Sequence, residues 1–66
     1  MLIHVQGEAR ELADGCLLAE LLASMDLQGQ RIAVEINQEV IPRSQHSQWR
    51  LQPGDRVEIV RAIGGG

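Results

Sequence analysis

Phenylalanine and tyrosine are missing from this 66-residue chain, and Trp49 is its one aromatic residue. Leu, Ile and Val must therefore supply the core almost alone. Cysteine occurs once, at Cys16, so no intramolecular disulfide can staple the fold, and no cluster of metal ligands is visible. Lysine is absent: all six basic residues are Arg, and the chain offers no ε-amine on which an isopeptide chain could be built. The net charge is −3. Without a basic surplus to neutralise phosphates, nucleic acid is not expected as a direct partner. No apolar run approaches the roughly 20 residues of a membrane span. Met1-Leu2-Ile3-His4 lacks the charged start and long apolar stretch of a signal peptide. Together with one unpaired cysteine, this fits a reducing, cytoplasmic compartment. The length allows one small domain, which buries only about 60% of the surface its unfolded chain exposes.

What is present alternates between two periods. Residues 1–6 place Met1, Ile3 and Val5 on one side, the pattern of a half-buried strand, although Leu2 spoils its polar face. Gln6-Gly7-Glu8 signals a turn, and residues 9–13 read as a short return strand anchored by Leu12. Asp14-Gly15 ends this hairpin. Leu18, Leu21, Leu22 and Met25 then fall at i, i+3, i+4 and i+7, which predicts a helix of about ten residues. Glu20 stands at the far place of a capping box, but Leu17 occupies the place of its Ser or Thr. The helix start should rely on packing, or on Asp14 and Cys16, and Gly29 is the expected left-handed cap at its end.

Residues 31–36 form the best strand, with Ile32, Val34 and Ile36 on one face. Asn37-Gln38 fits a tight turn into a short partner, Glu39-Val40-Ile41, which Pro42 stops. Residues 43–50 are polar and without period, a surface crossing pinned at Trp49 and Leu51. Pro53-Gly54-Asp55 is a turn, and a last strand runs from Arg56 to about Ala62. The order predicts an α+β domain, a small mixed sheet of four to five strands with one main helix on one face. If the first and last strands are neighbours, the chain leaves from the middle of the sheet.

It leaves as Ile63-Gly64-Gly65-Gly66. Residues 1–62 read as the domain and 63–66 as a flexible tail. Glycine places no Cβ in the way of a narrow channel, and four extended residues reach on the order of 13 Å. The α-carboxylate, with an ordinary pKa of roughly 3.5, is ionised at neutral pH. It is a poor electrophile, so acyl chemistry at Gly66 requires activation, with ATP the plausible source. The plainer reading of a terminal glycine run is a frayed linker remnant.

In this order and at this spacing the residues resemble one family. Gly15 and Glu20-Leu21-Leu22, Ala33-Val34 with Ile36-Asn37, Pro42-Arg43, Gly54-Asp55 and the final Gly65-Gly66 are similar to the ThiS sulfur carriers of thiamine biosynthesis. These are β-grasp, ubiquitin-like proteins. Three positions depart: Leu17 replaces a hydroxyl residue, His46 stands where an aromatic residue is common, and Gly64 adds a third glycine. The resemblance implies that Gly66 is adenylated by an E1-like (ThiF-like) enzyme with ATP, then converted to a thiocarboxylate by a cysteine-derived persulfide donor. Thiazole synthase (ThiG-like) would take the sulfur. The carrier itself would catalyse nothing, would hold no permanent cofactor or metal, and would be recycled as a co-substrate.

Other readings stay open. The acceptor could be a molybdopterin precursor or a tRNA uridine, or the chain could modify protein lysines. A β-grasp adaptor without tail chemistry is the bland alternative. Cys16 near the helix start could carry a persulfide, but a small buried hydrophobe is the simpler reading. His4 and His46 have no partner at metal spacing. Glu8, Glu11 and Glu39 read as solvated surface charge. Leu2, Val60 and Ile63 exceed what one helix can cover and suggest that the far sheet face docks enzymes, with Arg43 a further docking residue or simply a solvated side chain.

Overall fold

Two tight turns set the register of the sheet. In the computed structural model, β1 (Leu2–Val5) and β2 (Glu8–Glu11) are joined by Gln6 and Gly7 at φ 52° and 82°. β3 (Ile32–Ile36) and β4 (Glu39–Ile41) are joined by Asn37 and Gln38 at φ 53° and 70°. Positive φ at both central residues of a two-residue loop defines a type I′ turn, whose twist matches the flanking strands. Asn37 is held there by its own side chain, which donates to Asp55 Oδ1 at 3.0 Å and accepts from Arg56 N–H at 3.0 Å. The return strand begins at Glu8 and ends at Glu11, shifted from 9–13, because the register Val5↔Glu8 to Leu2↔Glu11 uses up β1. Leu12 lies just beyond it, donating to the Met1 carbonyl at 2.9 Å.

The structure describes residues 1–61; Ala62 to Gly66, and with them the expectations placed on Ile63, Gly64, Gly65 and Gly66, lie outside the described residues. β5 (Arg56–Arg61) sits in the middle of a five-stranded sheet of order β2-β1-β5-β3-β4. It runs parallel to β1 and antiparallel to β3. Alternation places Ile3, Val5, Val34, Ile36, Ile41, Val57 and Ile59 on one face. There they pack with Leu18, Leu21 and Leu22 of the helix and with Leu51 in one cluster. No helix among the described residues is long and apolar enough to cross a membrane.

The helix α1 (Leu18–Ser24) has seven residues, shorter than its apolar stripe predicts. It ends in a Schellman motif: Leu27 N–H donates to Leu22 O at 2.9 Å and Asp26 N–H to Ala23 O at 3.1 Å. The left-handed residue is Asp26, at φ 59°, and not Gly29, which takes positive φ in the following turn. Asp tolerates this conformation better than most side chains, and Leu27 supplies the apolar contact that usually accompanies the motif.

At the other end, Leu17 has no oxygen to cap with, so only half of the reciprocal box forms: its N–H donates to Glu20 Oε1 at 2.9 Å. The next two N–H groups are satisfied from far along the chain. Leu18 donates to Trp49 O at 2.8 Å and Ala19 to His46 O at 3.0 Å. Neither Asp14 nor Cys16 caps the helix. Residues 43–50 are thus more than a surface crossing. They contain a 3₁₀ turn, Arg43–Gln45, and they bury His46 to 9% exposure. Its Nε2 lies 3.1 Å from Ile41 O.

Candidate functional site: the root of the tail and the outer sheet face

The site begins where β5 loses a neighbour. β1 pairs with β5 only at His4↔Arg56 and Val5↔Val57 before it turns away, while β3 continues alongside as far as Ile32↔Arg61. Left alone, Ile59 would turn an unpaired N–H and C=O toward the gap, and buried backbone groups need partners. Gln6 fills it. Its backbone N–H donates to Val57 O at 3.0 Å. Its carboxamide Nε2 donates to Ile59 O at 2.7 Å, and Oε1 accepts from Ile59 N–H at 2.9 Å. One side chain stands in for a missing strand, two residues before the last described position. Sequence reasoning missed this role. A signal existed: Gln at the first place of a type I′ turn, where Asn, Asp or Gly is favoured, asks for a separate reason.

The strand alternation also defines an outer face, turned away from α1. Leu2, Val40 and Val60 lie on it, 47%, 63% and 56% exposed. Leu2 and Val60 share this face but stand at opposite ends. The Leu2 carbonyl accepts from Gly54 N–H at 2.7 Å, six residues upstream of Val60 and thus up to about 20 Å away along an extended chain. Val40 was not singled out from the sequence, because its short strand gives too few residues to show which side it presents. Arg43 does not join them. Its guanidinium donates to Gln30 O at 2.7 Å, beside a shallow cleft on the helix side lined by Ala19, Leu22 and His46.

The remaining candidates have structural settings. Cys16 is half-buried, its Sγ 3.5 Å from Leu17 O. Burial, reinforced by the charge of Glu20, pushes its thiol up from the ordinary value, so it is a thiol at neutral pH and not the depressed thiolate that reactive cysteines need. The Nδ1 of His4 is buried without a hydrogen-bond partner, and no three His, Cys, Asp or Glu among the described residues gather as a metal site. Glu8 and Glu39 are exposed. Glu11 and Asp14 stand 3.4 and 3.2 Å from the α-amine of Met1.

A five-stranded mixed sheet under one helix, with its last strand in the middle, defines a β-grasp, ubiquitin-like protein. The family follows from comparison with known proteins. The chain belongs to the ThiS family, whose sequence model matches residues 3–66. It is similar to the sulfur carrier protein ThiS of Escherichia coli (strain K12), 35% identical over 66 residues that cover the whole of both chains. It is also 35% identical over 66 residues to a thiazole synthase of Paramagnetospirillum magneticum. There the match takes in all of this chain but 20% of the larger protein, so the chain spans about a fifth of that relative's length. Among solved structures it resembles the crystal structure of the thiamine biosynthesis protein ThiS from Geobacter metallireducens, with a TM-score of 0.86, 30% identity and full coverage of both chains.

Proposed function

We propose that this chain is a sulfur carrier of thiamine biosynthesis, with the carboxylate of Gly66 as the atom group that is loaded and emptied. The observation that carries this reading is the end-to-end likeness to a sulfur carrier protein of equal length. β5 adds the physical sense: a strand held by β3 to within five residues of Gly66, and on its other side by Gln6 as far as Ile59, gives a short tether a rigid base. Extended, five residues reach on the order of 16 Å, enough to enter a partner's active site while the domain stays outside it.

An E1-like enzyme would join the Gly66 carboxylate to the α-phosphate of ATP, releasing pyrophosphate and leaving an acyl-adenylate. The outer sulfur of a cysteine-derived persulfide attacks the acyl carbon and AMP departs. A thiol then cleaves the resulting acyl disulfide and releases the thiocarboxylate. Sulfur is a stronger nucleophile than the carboxylate oxygen it replaces, which suits transfer to thiazole synthase. A thiazole synthase that carries a stretch similar to this whole chain supports that acceptor. The outer face bearing Leu2 and Val60 docks these enzymes, and Arg43, on the helix side, orders the loop at Gln30.

The test is intact-mass spectrometry after incubation with ATP, the cognate E1-like enzyme and a persulfide donor. One oxygen of the C-terminus should be exchanged for sulfur, and thiazole synthase should reverse the change. No adenylate would leave an adaptor. Gly66 joined to a lysine of another protein would make the chain a modifier. A thiocarboxylate that thiazole synthase ignores would point to another acceptor.

A further inference from the structure

Amines are scarce in this chain, and the sheet keeps them away from the tail. Lysine is absent from all 66 residues, which leaves the α-amine of Met1 as the one aliphatic amine. β1 runs parallel to β5 with His4 opposite Arg56. Met1 lies three residues before that pair and Arg61 five residues beyond it, so roughly 26 Å of strand separates the two. The tail reaches only on the order of 16 Å from Arg61. The amine is also engaged. It donates to the Leu12 carbonyl and stands beside Glu11 and Asp14, which keep it protonated at neutral pH. Around the root of the tail the cations are arginines. Arg61 is opposite Ile32, Arg31 immediately precedes Ile32, and the Arg43 guanidinium donates to Gln30 O at 2.7 Å. All three are exposed.

We infer that Arg31, Arg43 and Arg61 determine specificity for sulfur: they set positive charge beside an activated Gly66 carbonyl without offering a nitrogen that can attack it. For the activation itself the inference rests on the carrier reading. The reaction avoided is aminolysis. A neutral amine adds to the acyl carbon and a C–N bond forms. The C–O bond to AMP breaks, AMP leaves with the electron pair, and the amine sheds a proton to water. The product is an amide, which no thiol reverses, so each such event removes one carrier from the cycle. A lysine at the root has an ordinary pKa of about 10.4, so roughly one in 2,500 is neutral at pH 7. A short flexible tether sets the local concentration of its target at roughly millimolar, and the exposure lasts as long as sulfur is scarce. Arginine stays protonated throughout. A guanidinium keeps the charge at the root and removes the reactivity.

The test activates the same carbonyl chemically. Full-length chain released from an intein fusion with mercaptoethanesulfonate carries a thioester at Gly66, and its fate at pH 9 is read by intact-mass spectrometry. The parent should only hydrolyse to the carboxylate. Arg31→Lys and Arg61→Lys should instead accumulate a species lighter than the carboxylate by one water, at a rate independent of protein concentration. Resistance to hydroxylamine separates this amide from a thioester to Cys16, which has the same mass. Arg50→Lys, which places its lysine in the cleft shared with Met1 at the far end of the sheet, should behave as the parent. Amide formation in the parent, or none in either root variant, would overturn the inference. Equal formation in Arg50→Lys would overturn it as well, since position would then not matter. Pyrophosphate release by the parent with ATP and the cognate E1-like enzyme is measured separately. Its absence refutes the carrier reading, whereas the thioester assay refutes this inference without the enzyme.

Discussion

Gln6→Ala tests whether the root of the tail is held as described. The substitution removes both hydrogen bonds between the carboxamide and Ile59 and leaves the rest of β5 untouched. A net intramolecular hydrogen bond contributes about 1 kcal/mol, so two amount to about 2 kcal/mol, and more where the abandoned groups cannot reach water. Ile59 is a core residue at 9% exposure, which places its backbone on the costly side of that range. In a domain of this size each kcal/mol moves the melting temperature by roughly 4–8 °C, so Gln6→Ala should lose roughly 8–16 °C. Alanine also alters the turn, and Gln6→Asn removes that ambiguity. Asn is favoured in the left-handed conformation of a type I′ turn but is one methylene too short to bridge Ile59. It should therefore be destabilised despite improving the turn. Melting followed by circular dichroism gives the totals, and amide hydrogen exchange gives the location: Ile59 should lose protection well before Val34. If Gln6→Asn is as stable as the parent and Ile59 exchanges no faster, the side chain is not acting as a surrogate strand.

Other consequences can be checked with the same protein. Because burial raises the Cys16 thiol, iodoacetamide should modify it more slowly at pH 8 than it modifies an unstructured cysteine peptide, and the rate should keep rising at higher pH. Cys16→Ala should still form the thiocarboxylate; failure with the fold intact would return Cys16 to the chemistry. The Met1 α-amine is raised above its ordinary value, chiefly by the side chain of Asp14, with Glu11 also contributing against a desolvation cost. A group raised in the folded state contributes stability that is whole below its unfolded pKa of about 8 and fades as pH climbs through the folded value. Urea midpoints should accordingly fall above pH 8, and Asp14→Asn should reduce that dependence.

Much of the architecture is legible in local pattern. Alternation at Ile32, Val34 and Ile36, the turn at Asn37-Gln38 and the stop at Pro42 all answer to near neighbours in the chain, and each is found where it was expected. What escaped depends on distant segments. The carbonyls of His46 and Trp49 cap a helix nearly thirty residues earlier, and polar residues 43–50 carry no mark of that task. His46 is buried because α1 and β4 close over it. Gly29 looks like a better helix stop than Asp26, yet the chain turns three residues sooner and packs Leu27 against the core. That Arg31 stands beside Arg61 is a matter of register across strands separated by more than twenty residues, which no local period encodes. For the functional end, the glycines speak in the sequence itself, while Gln6 and Val40 acquire meaning only when the sheet is assembled.

The position of β5 has a mechanical consequence. The β1–β2 and β3–β4 hairpins are not paired with each other; each is joined to the sheet through β5. A tug on the chain beyond Arg61 is thus directed along a strand gripped from both sides, so the bonds resist together in shear and do not unzip one at a time. Force applied along β5 is thereby shared between the two hairpins that flank it.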